Sequence, residues 1–168
     1  ISKNPFAFGF FTSMLQKKWA IGAISAVLVA TWLQKLAVVF LRDLTDALTA
    51  APLIFDAVWF WAIAYSLLFL STEIFWRMSG FMGMRWIMNM SRLMYQTLYD
   101  YLTLHSKEYF SSRFAGALTN KVGNAVDGTL QLVMRMLWNF GPLIVGILWY
   151  VIFAWQSNPW LGFIIWTW

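Results

Sequence analysis

HSKEYFSSRFAGALTNKV, running from His105 to Val122, is the stretch from which the rest of the chain can be read. It is the most polar segment of a sequence that is 61% hydrophobic, 20% aromatic and only 11% charged. That composition excludes an ordinary soluble domain and places the chain among membrane proteins. Outward from this segment the polar character narrows to a stripe on each side. Before it, Arg85, Asn89, Arg92, Gln96 and Asp100 recur every three or four residues, with Ile87, Met90, Met94, Leu98 and Tyr101 on another face. After it, Lys121, Asn124, Asp127, Gln131 and Arg135 repeat the pattern, and Val122, Val126, Leu130, Val133 and Leu137 form the apolar counterpart. The spacing predicts two amphipathic helices that leave the bilayer, meet at this turn and return.

Beyond those rods the chain divides into apolar runs. Residues 1–18 are expected to be an interfacial elbow, because Pro5 to Leu15 is short, aromatic and followed by Lys17 and Lys18. Residues 19–41 form a first span of about 34 Å, broken only by Ser25, Thr31, Gln34 and Lys35. Arg42 to Asp56, with three Asp, one Arg and a Pro, is expected to turn outside the membrane. Residues 53–102 make a second span with its extension, about 69 Å from Ala57 to Leu102 and unbroken by proline. Residues 103–114 form the connecting loop and residues 115–156 the returning extension and third span. That span carries Gly141-Pro142, where a kink or hinge is expected. Residues 160–168 start a fourth run too short to cross alone. With Ile at position 1 and an apolar run in progress at Trp168, the expectation is a piece of a longer chain.

Charge sets the expected orientation. Lys3, Lys17, Lys18, Arg85, Arg92, Lys107, Arg113 and Lys121 fall on one side, against Arg42 and Lys35 toward the other, so the His105 side is expected to be cytoplasmic. Trp19, Trp76 and Trp138 are expected at the inner boundary and Trp59, Trp61, Trp155 and Trp160 at the outer. The net charge of +5 is spread over helix ends instead of forming one basic patch, which favours anionic lipid over nucleic acid as counterpart. Without cysteine, disulfides and thiolate chemistry are excluded.

Individual residues have bland and functional readings. Lys35 is expected to snorkel outward, a polar path through the bundle being the other reading. Glu73 and Arg77 have the spacing of a helical ion pair. Met78, Met82, Met84, Met88, Met90 and Met94 suit core packing better than a soft substrate surface. His105, the single histidine, suits a solvated loop better than a proton switch. Tyr109 and Phe110 are expected to anchor a partner, and Lys107, Glu108 and Arg113 either pair across that contact or stay solvated. No HExxH, GxSxG or Walker A pattern GxxxxGK[ST] occurs, so no catalytic, cofactor or metal residue is assigned.

A pair of helices reversing through a short polar segment outside the bilayer resembles the transmembrane domain of ATP-binding-cassette (ABC) exporters. Leu104 to Phe110 (LHSKEYF) is similar to that family's coupling segment, Phe114 to Val122 (FAGALTNKV) to the opening of its third helix, and Arg42 to Leu48 (RDLTDAL) to the close of its first. The resemblance implies an all-α membrane protein of ABC exporter type, comprising the first three to four of six helices. Residues His105, Ser106, Lys107, Glu108, Tyr109, Phe110 and Arg113 would then dock on a nucleotide-binding domain that supplies ATP and Mg²⁺ chemistry from outside this chain. It also implies a second transmembrane domain, as homo- or heterodimer, and a multi-pass place in a bacterial inner membrane with the coupling loop cytoplasmic. From another class, a non-transporting membrane scaffold that binds a soluble partner through the same hairpin fits the bare pattern.

Overall fold

The computed structural model describes residues 5–50, 54–105 and 115–167, and among these no strand occurs. The order is α1 (Pro5–Met14), α2 (Lys17–Thr49), α3 (Phe55–Thr103), α4 (Ala115–Arg135), a π-helical turn (Met136–Phe140), α5 (Gly141–Ser157) and α6 (Pro159–Thr167). Three continuous helical segments are long and apolar enough to cross a membrane: Lys17–Thr49, Phe55–Thr103 and Gly116–Ser157. At 33, 49 and 42 residues they are about 50, 74 and 63 Å long, against a hydrocarbon core of about 30 Å.

The first span is longer than its apolar stretch. Arg42 to Thr49 was expected to lie in a turn, yet these residues add two turns to α2. Ala47 and Leu48 are good helix formers, and no Gly or Pro intervenes before Pro52. Thr45 and Thr49 donate back to the carbonyls of Leu41 and Thr45 at 2.8 and 3.0 Å. The helix ends where Ala50 turns extended at ψ 138°, two residues before the proline. At the other end α1 closes at Met14, and Lys17 and Lys18 belong to α2 instead of the elbow. Only Leu15 and Gln16 separate the two helices, and the Gln16 carbonyl accepts from both Trp19 and Ala20 at 3.1 Å.

Buried hydroxyls within the apolar stretches are satisfied by carbonyls of their own helix, as a lipid environment demands. Thr31 donates to the Val27 carbonyl at 2.8 Å, Thr72 to Leu68 at 3.0 Å and Ser79 to Trp76 at 2.8 Å. What holds the helices together is packing of small and soft side chains. Ala20, Ala23, Val27 and Ala30 line one face of α2 at heptad-like spacing and are all buried. Small residues let two membrane helices approach closely, and a Cβ on Gly22 would lie 2.7 Å from Met82 Sδ of α3. The two helices are antiparallel: Trp19 meets Phe81 at 6.3 Å between ring centroids, and Phe40 meets Trp61 at 5.4 Å.

Toward its C-terminal half α3 turns to α4. Ile87, Met90 and Met94 pack with Val126 and Leu130, with Met90 and Val126 fully inaccessible. Arg92, Gln96 and Asp100 on α3 and Lys121, Asn124 and Asp127 on α4 are exposed. Tyr101, placed on the apolar stripe by spacing, is 48% exposed, since α3 is nearly over there. Gly83 is the close-approach point: a Cβ would lie 2.7 Å from Trp138 Cζ2 and 3.1 Å from Leu137 Cδ2. The methionines divide, with Met82, Met90 and Met94 packed and Met78, Met84 and Met88 exposed.

The tail folds back on α5. Asn158, extended at φ −158° and ψ 118°, accepts the Trp160 N–H on its side-chain Oδ1 at 3.0 Å, with Pro159 as the first helical residue. This is an N-cap with proline at N1. Gly162 lies against Trp155, where a Cβ would come within 2.9 Å of the Trp155 backbone.

Candidate functional site

Of the seven residues expected to meet a partner, the described region contains His105 alone; Ser106, Lys107, Glu108, Tyr109, Phe110 and Arg113 lie outside it. His105 closes the end of α3. Its backbone N–H donates to the Leu102 carbonyl at 3.0 Å, its Nδ1 stands 3.0 Å from the Tyr101 carbonyl, and its ring meets the Tyr101 ring edge-on at 4.9 Å. A carbonyl only accepts, so this contact selects the tautomer protonated at Nδ1. Leu104 beside it is 83% exposed.

The irregularity expected at Gly141-Pro142 begins five residues earlier. Pro142 has no N–H to give the Trp138 carbonyl, and its ring would press on that carbonyl in a regular helix. Met136–Phe140 instead widens into a π turn, and the Gly141 N–H reaches back five residues to the Met136 carbonyl. Such turns relieve a helix that must admit a residue lacking its donor. A Cβ at Gly141 would come within 3.3 Å of that carbonyl, so glycine suits the position.

Lys35 does not point where snorkelling would send it. Its Nζ donates to the Tyr150 hydroxyl of α5 at 3.2 Å and stands 4.8 Å from the Tyr150 ring centroid. Gly146 leaves the space beside it, a Cβ there lying 3.5 Å from Lys35 Cε. The α2 and α5 helices run parallel, with Trp32 against Trp149 at 6.2 Å. In that register Gly146 lies below Lys35, so the amine leans toward the helix N-terminus, the direction Cα–Cβ bonds take on any helix. The charge is held by a phenol and a π face, not by a carboxylate. Glu73 and Arg77 are both exposed and do not pair; the ion pair among the described residues is Arg42–Asp43 at 2.6 Å.

Sequence reasoning passed over Trp86. It is 7% exposed and packs with Ala20, Ala23, Val27 and Leu137. Its Nε1 has no acceptor among the described residues, an arrangement that costs about 1–3 kcal/mol when a buried donor is left unmade. The indole separates two apolar clefts. The larger, about 620 Å³, lies between α1 and α4 and is lined by Gly9, Phe10, Ser13, Gly128, Thr129 and Leu132 among others. The smaller, about 210 Å³, lies toward α2 and the π turn, against Ile24, Leu28 and Gly141. The available signal was spacing: Trp86 falls with Gly83 and Met90 on the apolar stripe, beside the exposed Arg85.

The expected tryptophan belts need adjustment for the same reason. Trp19, Trp76 and Trp138 are packed against the buried cluster around Trp86. Trp19 and Trp138 are level with Phe81 and Gly83, whereas Trp76 lies further along α3 toward its N-terminus. Of the four expected at the other boundary, Trp59, Trp155 and Trp160 are exposed, whereas Trp61 is half-buried against Phe40 and Phe60.

Fold and geometry together define a helical membrane protein with three candidate spans. No protein-family model, curated protein or solved structure matches the chain.

Proposed function

We propose that this chain is the first half of the transmembrane domain of an ABC-type exporter, the part that carries displacement from a soluble ATPase into the bilayer. The observation that supports this best is the pairing of α3 with α4 past the apolar stretches. Met94 is buried with Val126, while Arg92, Gln96 and Asp100 on one helix and Lys121, Asn124 and Asp127 on the other face water. Two helices that stay packed together in water form a stiff hairpin, and LHSKEYF lies in sequence where the first of them ends.

On this reading, residues His105 to Phe110 and Arg113 dock on a nucleotide-binding domain, with Tyr109 and Phe110 as aromatic anchors. ATP and Mg²⁺ act there. Closure of two such domains moves both hairpin tips, one in each transmembrane half, and shifts the balance between inward-open and outward-open states. The Gly141-Pro142 segment serves as a joint in the returning helix. The basic end of the bundle, with the tip, faces the cytoplasm of a bacterial inner membrane.

The gene downstream of the Trp168 codon tests the proposal. Two or three more spans followed by GxxxxGK[ST] are expected. A stop codon at that point would sink the exporter reading and leave a scaffold that binds a soluble partner through the same hairpin.

A further inference from the structure

Two exposed charges of α3 stand where lipid cannot answer them. We infer that the face of α3 carrying Ser66, Leu70, Glu73, Arg77, Gly80 and Met84 docks on the same face of a second copy of this chain, with Glu73 of each copy against Arg77 of the other. The inference needs only a membrane setting. The exporter reading would survive its failure, because the second half of an exporter can be a different chain.

Depth is the first argument. Trp61 lies against Phe40 at 5.4 Å, just short of Arg42, where the apolar run of α2 ends. Arg85 stands over the Trp19 and Phe81 rings at 5.3 and 4.8 Å, level with the start of that run. Glu73 is twelve residues from Trp61 and twelve from Arg85, about 18 Å of helix either way, in a hydrocarbon layer about 30 Å thick. It is therefore attached close to the midplane, with Arg77 one turn nearer the basic end. Charge at that depth is costly unless an opposite charge meets it. Among the described residues none does: both side chains are exposed and unpaired, and the Lys35 amine lies on Tyr150.

Spacing is the second argument. Thr72, Ser79 and Trp86 are buried and mark the side of α3 that faces the bundle. Glu73 and Gly80 each follow by one residue, about 100° round the helix. From Ser66 to Met84 the six positions recur in steps of four and three, the period that keeps one helix face against another along its length. Five of them are exposed, and at Gly80 nothing lies within 4 Å of a Cβ, which leaves room for a second backbone to come close.

Charge selects a second copy as the occupant. A two-fold axis normal to the membrane keeps every residue at its own depth, and brings residue i of one copy to j of the other and j to i. Acid and base sit one turn apart on one seam, and the long arginine side chain spans that turn. Each carboxylate then meets a guanidinium, and the four charges cancel within the layer.

Förster transfer between donor- and acceptor-labelled copies, labelled through Ala50→Cys in phosphatidylethanolamine–phosphatidylglycerol vesicles, tests this. Transfer that rises with protein density and saturates as a dimer is expected. Glu73→Arg gathers four cations in the seam and should weaken association more than about ten-fold. Exchanging the pair, Glu73→Arg with Arg77→Glu, should restore it. In the otherwise cysteine-free chain, Gly80→Cys should form a disulfide between copies on oxidation with copper phenanthroline. Met78→Cys, exposed at nearly the same depth on the other side of α3, should not. A monomer at every density, wild-type association in Glu73→Arg, no recovery in the exchanged pair, or equal cross-linking at the two cysteines overturns the inference. If Glu73→Arg lowers helix content by circular dichroism, the two cysteines alone decide.

Discussion

Lys35 Nζ of α2 and the Tyr150 hydroxyl of α5 lie 3.2 Å apart, the one side-chain hydrogen bond the structure shows between those two helices among the described residues. Polar bonds between membrane helices are worth about 0.6 kcal/mol on average and up to about 1.7. A double-mutant cycle of Lys35→Met and Tyr150→Phe, followed by unfolding in mixed micelles, should return a coupling in that range. Strictly additive effects would mean that the bond does not join the helices.

The two glycines of α3 should behave oppositely. Gly83→Val drives a side chain into Trp138 and Leu137 and should lower stability by about 1–3 kcal/mol. Gly80 has nothing within 4 Å of a Cβ, so Gly80→Ala should be neutral or stabilise by up to about 1 kcal/mol. Thermal melts of the two variants in one detergent make the comparison; equal destabilisation would place the close approach elsewhere.

Pro142→Ala restores an N–H that can bond to the Trp138 carbonyl and removes the reason for the π turn. Straightening that turn rotates α5 by about 100°, the angle one residue occupies in an α-helix. Tyr150 would then leave Lys35. The cycle described for that pair, repeated in the Pro142→Ala background, should lose its coupling; an unchanged coupling would show that packing, not the proline, sets the turn.

Single cysteines test the topology, because the chain has none of its own. Ala50 follows α2 and Leu104 follows α3, so labels at the two positions should react from opposite faces of the membrane. Reaction from the same face would refute the crossing by α3.

Periodicity made the helices legible. Val122, Val126, Leu130 and Leu137 recur at helical spacing with polar residues between them, and all four are buried. The ends were less legible. Charge at Arg42, Asp43 and Asp46 ends the apolar run, but a helix stops only where its backbone must, and with no Gly or Pro before Pro52 α2 runs on to Thr49. Partnerships across helices were not legible at all. Lys35 stood out in its span, but Tyr150 is 115 residues away in sequence, and only the α2–α5 register brings it near. Trp86 was hidden because one more aromatic residue in an apolar stripe looks like core; its missing acceptor is a three-dimensional fact. Of LHSKEYF, only Leu104 and His105 fall in the described region.

The π turn gives two adjoining members of the bundle unequal compliance. One, α3, keeps a single hydrogen-bond ladder over 49 residues and resists bending along its whole length. The other is interrupted over five residues, where the ladder is already displaced by one rung. Strain placed on the pair is therefore not shared evenly. It collects at Met136–Phe140, directly opposite Gly83, where Trp138 and Leu137 touch the stiffer helix and leave no slack for the yielding one to move without sliding.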